Sequence, residues 1–116
     1  MSPMPDCTWH RACRADEIDE EDVIGVTVEG AVYAVYRLKD GFYATEGLCT
    51  HEQSPLASGY VSGDVIECGK HNARYHIPTG KAMRRPALRD LATYPVKREG
   101  DNLMIGLPRG GGATAP

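Results

Sequence analysis

Two short segments of this sequence each hold one cysteine and one histidine at a spacing that suits metal binding. The first is Cys49-Thr50-His51, the second is Cys68-Gly69-Lys70-His71, and sixteen residues lie between them. Two thiolates and two imidazoles can complete a tetrahedral zinc site, because zinc accepts both kinds of ligand. The same four side chains can hold a 2Fe-2S cluster, with both cysteines on one iron and both histidines on the other. The spacing alone is compatible with either metal.

The order of the ligands within the two segments favours the cluster. Each segment supplies one cysteine and one histidine, so two turns that face each other across a diiron centre would place like ligands on the same iron. We therefore expect Cys49 and Cys68 on one iron and His51 and His71 on the other.

The remaining cysteine and histidine residues form weaker candidates. Cys7 and His10, with Cys13 nearby, could make a second metal site. Their place at the N-terminal edge, with Trp9 as an apolar anchor between them, favours packing instead, and we expect Cys13 in the core. His76 lies in a strand-like run, so we expect it to serve a surface or packing role.

The composition bounds the architecture. The chain has 116 residues, of which 41% are hydrophobic and 25% charged, so it suits one compact domain, expected over residues 1–108. The glycine-, alanine- and proline-rich segment 109–116 is expected to be a flexible tail.

No run is long enough to span a membrane and the start does not resemble a signal peptide, so we expect a cytoplasmic protein. In that reducing setting four cysteines suit metal ligands or thiols, and the net charge of −3 argues against nucleic acid.

The local patterns predict an all-β fold. Short runs rich in Val, Ile and Tyr alternate with turn signals, which is typical of consecutive antiparallel hairpins. We expect Arg14 to Glu21 to form at most a single helical turn. The segment from Leu48 to Gly63 is expected to be a long loop. The predicted strands are Val23 to Val28, Ala31 to Arg37, Phe42 to Thr45, Val65 to Glu67, Arg74 to Ile77, Tyr94 to Arg98 and Leu103 to Leu107.

The paired segments, with the residues around them, resemble the Rieske motif. The surrounding sequence is similar to the ferredoxin components of bacterial ring-hydroxylating oxygenase systems. The similarity extends from about Trp9 to Leu107. It includes Asp40-Gly-Phe-Tyr-Ala-Thr, Gly59-Tyr-Val-Ser-Gly-Asp-Val-Ile-Glu, Asn72-Ala-Arg-Tyr, Thr79-Gly-Lys and Thr93-Tyr-Pro-Val-Lys.

The resemblance implies a fold and a function. The fold would be three stacked antiparallel sheets, with a small cluster-binding subdomain at about residues 46–86 on a β base. The chain would be a monomeric one-electron carrier with one 2Fe-2S cluster and no catalytic residues of its own. It would accept an electron from a flavin-containing ferredoxin reductase and pass it to a terminal oxygenase, with neither membrane nor nucleic acid as a partner.

Several departures and matches bear on the cluster's potential. The family usually has proline and an apolar residue where this chain has Gly69 and Lys70. The positive charge of Lys70 should favour the reduced cluster, so we predict that Lys70→Leu lowers the midpoint potential in voltammetry.

Respiratory Rieske proteins carry a disulfide whose cysteines would correspond to Ser54 and Lys70, so no such bridge is implied here. Asn72-Ala73 offers no serine hydroxyl to the cluster, which predicts a potential toward the lower end of the Rieske range, roughly −150 to +300 mV. Pro86 falls where the family places a loop over the cluster.

Charge is distributed unevenly, and other functions remain open. Six of the seven residues from Asp16 to Asp22 are acidic, whereas the segment from Lys70 to Arg89 has six Lys or Arg and no Asp or Glu. These are either two solvated regions or docking surfaces, and the basic segment could meet an acidic partner.

The alternatives to an electron carrier of an oxygenase system are a small subunit of another oxidoreductase, such as nitrite reductase, and a structural zinc-binding module. A terminal oxygenase would need a further iron site in a domain that this chain cannot contain.

Overall fold

The fold consists almost entirely of short β-strands. The computed structural model describes residues 7–50, 53–69, 72–85, 87 and 89–108. Its strands are β1 (Cys7–Arg14), β2 (Asp22–Val28), β3 (Ala31–Leu38), β4 (Gly41–Glu46), β5 (Tyr60–Ser62), β6 (Val65–Glu67), β7 (Arg74–His76), β8 (Ala82–Arg84), β9 (Thr93–Tyr94), β10 (Val96–Glu99) and β11 (Asn102–Pro108).

The strands form three antiparallel sheets, which confirms the predicted fold class. The first sheet has the order β1-β11-β10, the second β2-β3-β4-β9 and the third β5-β6-β7-β8. The third sheet is built entirely from the chain between β4 and β9. No helix in the described ranges is long and apolar enough to cross a lipid bilayer.

Strand β3 lies at the centre of the stack and is buried on both faces. Because side chains alternate along a strand, Tyr33 and Val35 enter a core cluster shared with the first sheet. Ala34 and Tyr36 enter a second cluster shared with the third sheet. All four are at most 2% exposed. The second sheet is therefore the middle layer of three.

Three strands were not predicted. Strand β1 pairs with β11, so that Cys7 lies opposite Pro108 at the other end of the described chain. Its mixture of charged and apolar residues gives no clear alternation, and its partner is too distant for a hairpin signal. Strands β5 and β8 have three residues each and pair with β6 and β7. The prediction of one long loop from Leu48 to Gly63 was therefore wrong, because this stretch contains a 3₁₀ turn, Leu56–Ser58, and β5.

The remaining differences have local causes. The predicted strand from Tyr94 to Arg98 is divided into β9 and β10 at Pro95, which has no N–H to donate to a ladder. The Pro95 carbonyl instead accepts a hydrogen bond from the Gly106 N–H at 2.9 Å. The single helical turn predicted within Arg14 to Glu21 is present as a 3₁₀ turn, Ala15–Glu17.

Candidate metal centre

The first cysteine begins a tightly closed loop that follows β4. The Cys49 N–H donates to the Ser54 carbonyl at 2.8 Å, and the Gln53 N–H donates back to the Cys49 carbonyl at 2.8 Å. Gln53 has a φ of +56°, a left-handed conformation that closes the loop. The loop therefore fixes the backbone of Cys49 at both its donor and its acceptor.

The second cysteine begins a loop with the same bonding pattern. The Cys68 N–H donates to the Ala73 carbonyl at 2.7 Å, and the Asn72 N–H donates to the Cys68 carbonyl at 3.0 Å. Asn72 has a φ of +64°. In both loops the cysteine amide bonds five residues ahead, and the residue four ahead is left-handed. The two cysteines thus occupy equivalent positions in two similar loops.

Both cysteines are buried in the same part of the core. Cys49 and Cys68 are each 2% exposed and belong to the core cluster between the second and third sheets. The two predicted histidine ligands, His51 and His71, lie outside the described residues, as do Lys70 and Pro86. The structure thus places the two predicted sulfur donors in the same core cluster, and ligation by all four residues stays a prediction.

Glycines allow the two loops to approach each other. A Cβ added to Gly59 would lie 2.1 Å from the Glu67 carbonyl oxygen and 3.3 Å from the Gly69 nitrogen. A Cβ on Gly69 would lie 2.9 Å from the Ser58 carbonyl oxygen. The backbone leading into β5 therefore runs against the backbone on either side of Cys68, with no room for a side chain at Gly59.

Tyr75 connects the second loop to the first. Its hydroxyl lies 3.3 Å from Cys49 Sγ, 3.2 Å from the Thr50 nitrogen and 2.8 Å from Thr50 Oγ1. The Thr50 N–H and O–H can both donate to the phenol oxygen, which leaves the single phenol proton for the sulfur. Burial, and the hydrogen bond with Cys49, raise the pKa of Tyr75 to about 12, so the phenol keeps its proton at neutral pH.

Tyr75 is a residue of the candidate site that the sequence analysis did not identify. Asn72-Ala73, immediately after the second segment, offers no hydroxyl to the sulfurs. The tyrosine lies two residues further, in β7, where it points into the core with 0% exposure. The alternation of β7 could have revealed it, because Arg74 and His76 on either side are polar.

Glu46 anchors the chain just before the first loop. Its carboxylate accepts hydrogen bonds from the Arg89 guanidinium at 2.6 and 3.0 Å and from the Ala92 N–H at 2.8 Å. The hydrogen bonds with Glu46 raise the pKa of the Arg89 guanidinium. The segment that follows β8 is thereby tied to the end of β4, three residues before Cys49.

The two ends of the third sheet differ in their charged side chains. Cys68 follows β6 directly, and β6 ends at Glu67, which pairs across the sheet with Arg74 of β7. At the other end, the turn between β5 and β6 meets the acidic segment, because the Gly63 N–H donates to Glu21 Oε2 at 2.6 Å. Glu20 and Asp64 line a groove at that same end.

The structure also shows the surroundings of the weaker candidates. Cys13 is 3% exposed, as predicted, and burial together with the charge of Glu17 raises its pKa to about 11. His76 bonds Thr79 and Asp64 at 2.8 and 3.0 Å. No group of three or more Cys, His, Asp or Glu side chains that could hold a metal occurs among the described residues, which include Cys7 and His10.

Comparison with known proteins identifies the family. The family model of the Rieske [2Fe-2S] domain matches residues 8–95. The chain therefore belongs to the Rieske family. It is 43% identical over 99 residues to the ferredoxin component of the naphthalene 1,2-dioxygenase system of Pseudomonas aeruginosa, covering 85% of this chain and 95% of that protein.

Solved structures support the same assignment. The chain resembles the ferredoxin in a complex of reduced oxygenase and oxidized ferredoxin of carbazole 1,9a-dioxygenase, with a TM-score of 0.78 and 34% identity over 84% of this chain and 91% of that one. A Mycobacterium tuberculosis protein assigned as the small subunit of an NADH-dependent nitrite reductase has a TM-score of 0.76, covering 86% of this chain and 95% of that one, but only 17% identity. That second likeness shows the fold alone.

The family and the relatives define what kind of protein this is. It is a Rieske-type ferredoxin, which carries one 2Fe-2S cluster and transfers electrons rather than catalysing a reaction on a substrate. The described donors fit this cofactor, because two buried cysteine sulfurs start equivalent loops and one of them already has a hydroxyl donor.

Proposed function

We propose that Cys49, His51, Cys68 and His71 hold the cluster, with the cysteines on the inner iron and the histidines on the outer one. The observation that carries this proposal is the equivalence of the two cysteine loops, each closed by the same pair of backbone hydrogen bonds. Each segment also holds one histidine within three residues of its cysteine. The bound cluster would supply one-electron oxidation and reduction.

The residues of this chain would hold the cluster in a defined environment. Burial of Cys49 and Cys68 excludes water from the sulfur side. The Tyr75 hydroxyl would donate to Cys49 Sγ and stabilise negative charge on it. His51 and His71 would form the end at which electrons enter and leave.

The chain would act between two proteins. We propose that it accepts an electron from a flavin-containing ferredoxin reductase and passes it to a terminal non-haem iron oxygenase. The naming of its relatives as components of naphthalene and biphenyl dioxygenase systems supports this role, as does the complex of a related ferredoxin with its oxygenase. It would work in the cytoplasm as a monomer, as one domain over residues 1–108 with the cluster-binding part at about 46–86 and a flexible tail at 109–116.

Ligand substitution tests the site. Cys49→Ser and His71→Ala should each yield protein without the red-brown colour and without the rhombic electron paramagnetic resonance signal of a reduced Rieske cluster. Cys7→Ser is the matched control, because Cys7 is a partly exposed cysteine on the first sheet, and it should keep both. Iron analysis provides the second readout.

Two results would contradict the proposal. One is wild-type protein that binds zinc in place of iron and stays colourless after anaerobic reconstitution, which would favour the structural zinc module. The other is a Cys49→Ser or His71→Ala variant with the full wild-type signal and iron content.

A further inference from the structure

The outer face of the third sheet presents a continuous row of side chains beside the candidate metal centre. Tyr60 of β5 pairs with Glu67 of β6, Glu67 with Arg74 of β7, and Arg74 with Arg84 of β8. Directly paired residues point to the same face of a sheet. The neighbouring row, which includes Ile66 and Tyr75, faces the core.

Two large apolar side chains are exposed on this face. Tyr60 is 66% exposed and Met83 is 54% exposed, and both line one groove of about 200 Å³ together with Val65 and Arg74. Arg74 pairs with Arg84 and Tyr75 with Ala82, so Met83 is an extra residue in β8. Such bulges redirect a side chain, and this one projects a thioether out of the sheet.

Tyr60 also reaches the cysteine loops. It lines a second groove with Ser54 and Pro55, which close the first loop, and with Gly69, which follows Cys68. The exposed tyrosine thus lies where the row on the third sheet meets both loops. A protein seated on this row would contact the end of the molecule at which the cluster is proposed to bind.

The charge of this face selects its partner. Arg74 and Arg84 lie in the row, and Arg85 follows it. The one acidic member of the row, Glu67, accepts hydrogen bonds from the Asn72 amide and from Arg74 Nε at 3.0 Å. Further acidic side chains, including Glu21, lie instead at the far end of the third sheet. An apolar centre with a basic surround complements an acidic protein surface around an apolar depression.

We infer that Tyr60, Met83 and Arg84 form the surface on which the terminal oxygenase docks, through an acidic face of that protein. This inference rests on the proposed function and names the part of the chain that makes the contact. Once docked, one electron passes from the reduced cluster of this chain to the iron centre of the oxygenase, and no bond forms or breaks. The interface is small and brief, as is typical of electron-transfer partners.

The test uses the intact iron-loaded protein and the purified terminal oxygenases of the naphthalene, biphenyl and carbazole systems as probes. The variants are Tyr60→Ser with Met83→Gln, and separately Arg84→Glu. The matched controls are Met104→Gln, a methionine of the first sheet, and Lys39→Glu, an exposed lysine beside the far acidic groove. The readouts are the dissociation constant from titration calorimetry with both proteins oxidised and the second-order rate of electron transfer from stopped flow.

We expect each docking variant to weaken binding and slow electron transfer about tenfold, while the midpoint potential and the resonance spectrum stay as in the wild type. The two controls should stay within about twofold. Docking variants that bind and transfer like the wild type would overturn the inference. So would unchanged binding to the oxygenases together with slower reduction by the flavin-containing reductases of the same systems, measured by stopped flow, which would assign the face to the other partner. A wild-type protein that reduces none of the three oxygenases would instead refute the proposed function, and the inference with it.

Discussion

The Tyr75 hydroxyl contacts a cysteine that lies 26 residues earlier in the chain. Hydrogen bonds to cluster sulfurs are one of the factors that set the potential of an iron-sulfur centre. A donor to sulfur stabilises the more negative, reduced form. The missing serine hydroxyl at Asn72-Ala73 predicts a low potential, whereas a hydrogen bond from the Tyr75 hydroxyl would raise it.

We predict that Tyr75→Phe lowers the midpoint potential. A neutral hydrogen bond contributes about 1 kcal/mol, which corresponds to about 40 mV for a one-electron couple. Protein-film voltammetry measures the shift. Tyr36→Phe is the control, because the buried Tyr36 hydroxyl bonds Thr45 at 2.9 Å and not a cysteine, and its potential should match the wild type. Equal potentials in wild type and Tyr75→Phe would show that this hydroxyl does not act on the cluster.

For single residues, the sequence identified the candidate ligands by their type and spacing, and their ligation stays a prediction, whereas their surroundings could not be predicted. The cysteines could be predicted because their spacing to histidine is local. The contact of Tyr75 could not, because it depends on how β7 returns beside the first loop. Lys70 lies outside the described residues, so its effect on the midpoint potential stays a prediction.

Among the elements, β5 depends on an unusually close backbone contact. Gly59, just before β5, has an extended backbone that any residue can adopt, with a φ of −94°. A side chain there is excluded by the neighbouring backbone, above all by the Glu67 carbonyl oxygen, which would lie 2.1 Å from an added Cβ. The contact holds the entry to β5 against the strand that leads to Cys68.

We predict that Gly59→Ala destabilises the protein by about 1–3 kcal/mol, because β5 must move away from β6. Gly25→Ala is the control, since its Cβ would meet Ala57 at an ordinary 3.5 Å, and it should change the stability little. Denaturant unfolding of the iron-loaded proteins measures both. A Gly59→Ala variant as stable as Gly25→Ala would show that the approach of the two backbones is not required.

Strands with strong local patterns were predicted, and strands that depend on partners were not. The β2, β3 and β4 meander is rich in Val and Tyr and turns at Glu29-Gly30 and Asp40-Gly41, so it could be recognised from sequence. Strand β1 is specified by its pairing with β11, and β8 by its pairing with β7. The pairing of β1 joins the two ends of the described chain and leaves little trace in the local sequence, whereas β8 has only three residues and a bulge, which leave no clear alternation.

For the molecule as a whole, the separation of charge gives it an electrostatic polarity. The acidic segment from Asp16 to Asp22 meets the turn between β5 and β6 through Glu21, whereas Arg74 and Arg84 lie toward the cysteine loops. The uneven charge could be predicted from sequence, but its placement required the fold. One of the six basic residues from Lys70 to Arg89, Arg89, forms an ion pair with Glu46 of the same chain.

We predict that electron transfer with an acidic partner slows as salt rises. Between low ionic strength and 1 M the screening length falls from tens of ångströms to about 3 Å, so steering is lost and the rate should fall about tenfold or more. Stopped-flow measurement over a series of NaCl concentrations provides the test, with reduction by dithionite, an anion rather than a protein, as the comparison. A rate independent of salt would count against charge steering.

The chain has four cysteines, and three of them, Cys13, Cys49 and Cys68, are at most 3% exposed. Cys7 alone is partly accessible, at the start of β1 on the layer farthest from the third sheet. A maleimide dye added to the iron-loaded protein should therefore attach at one position without mutagenesis. Its fluorescence could report on encounters with other proteins while leaving the opposite side of the molecule unobstructed.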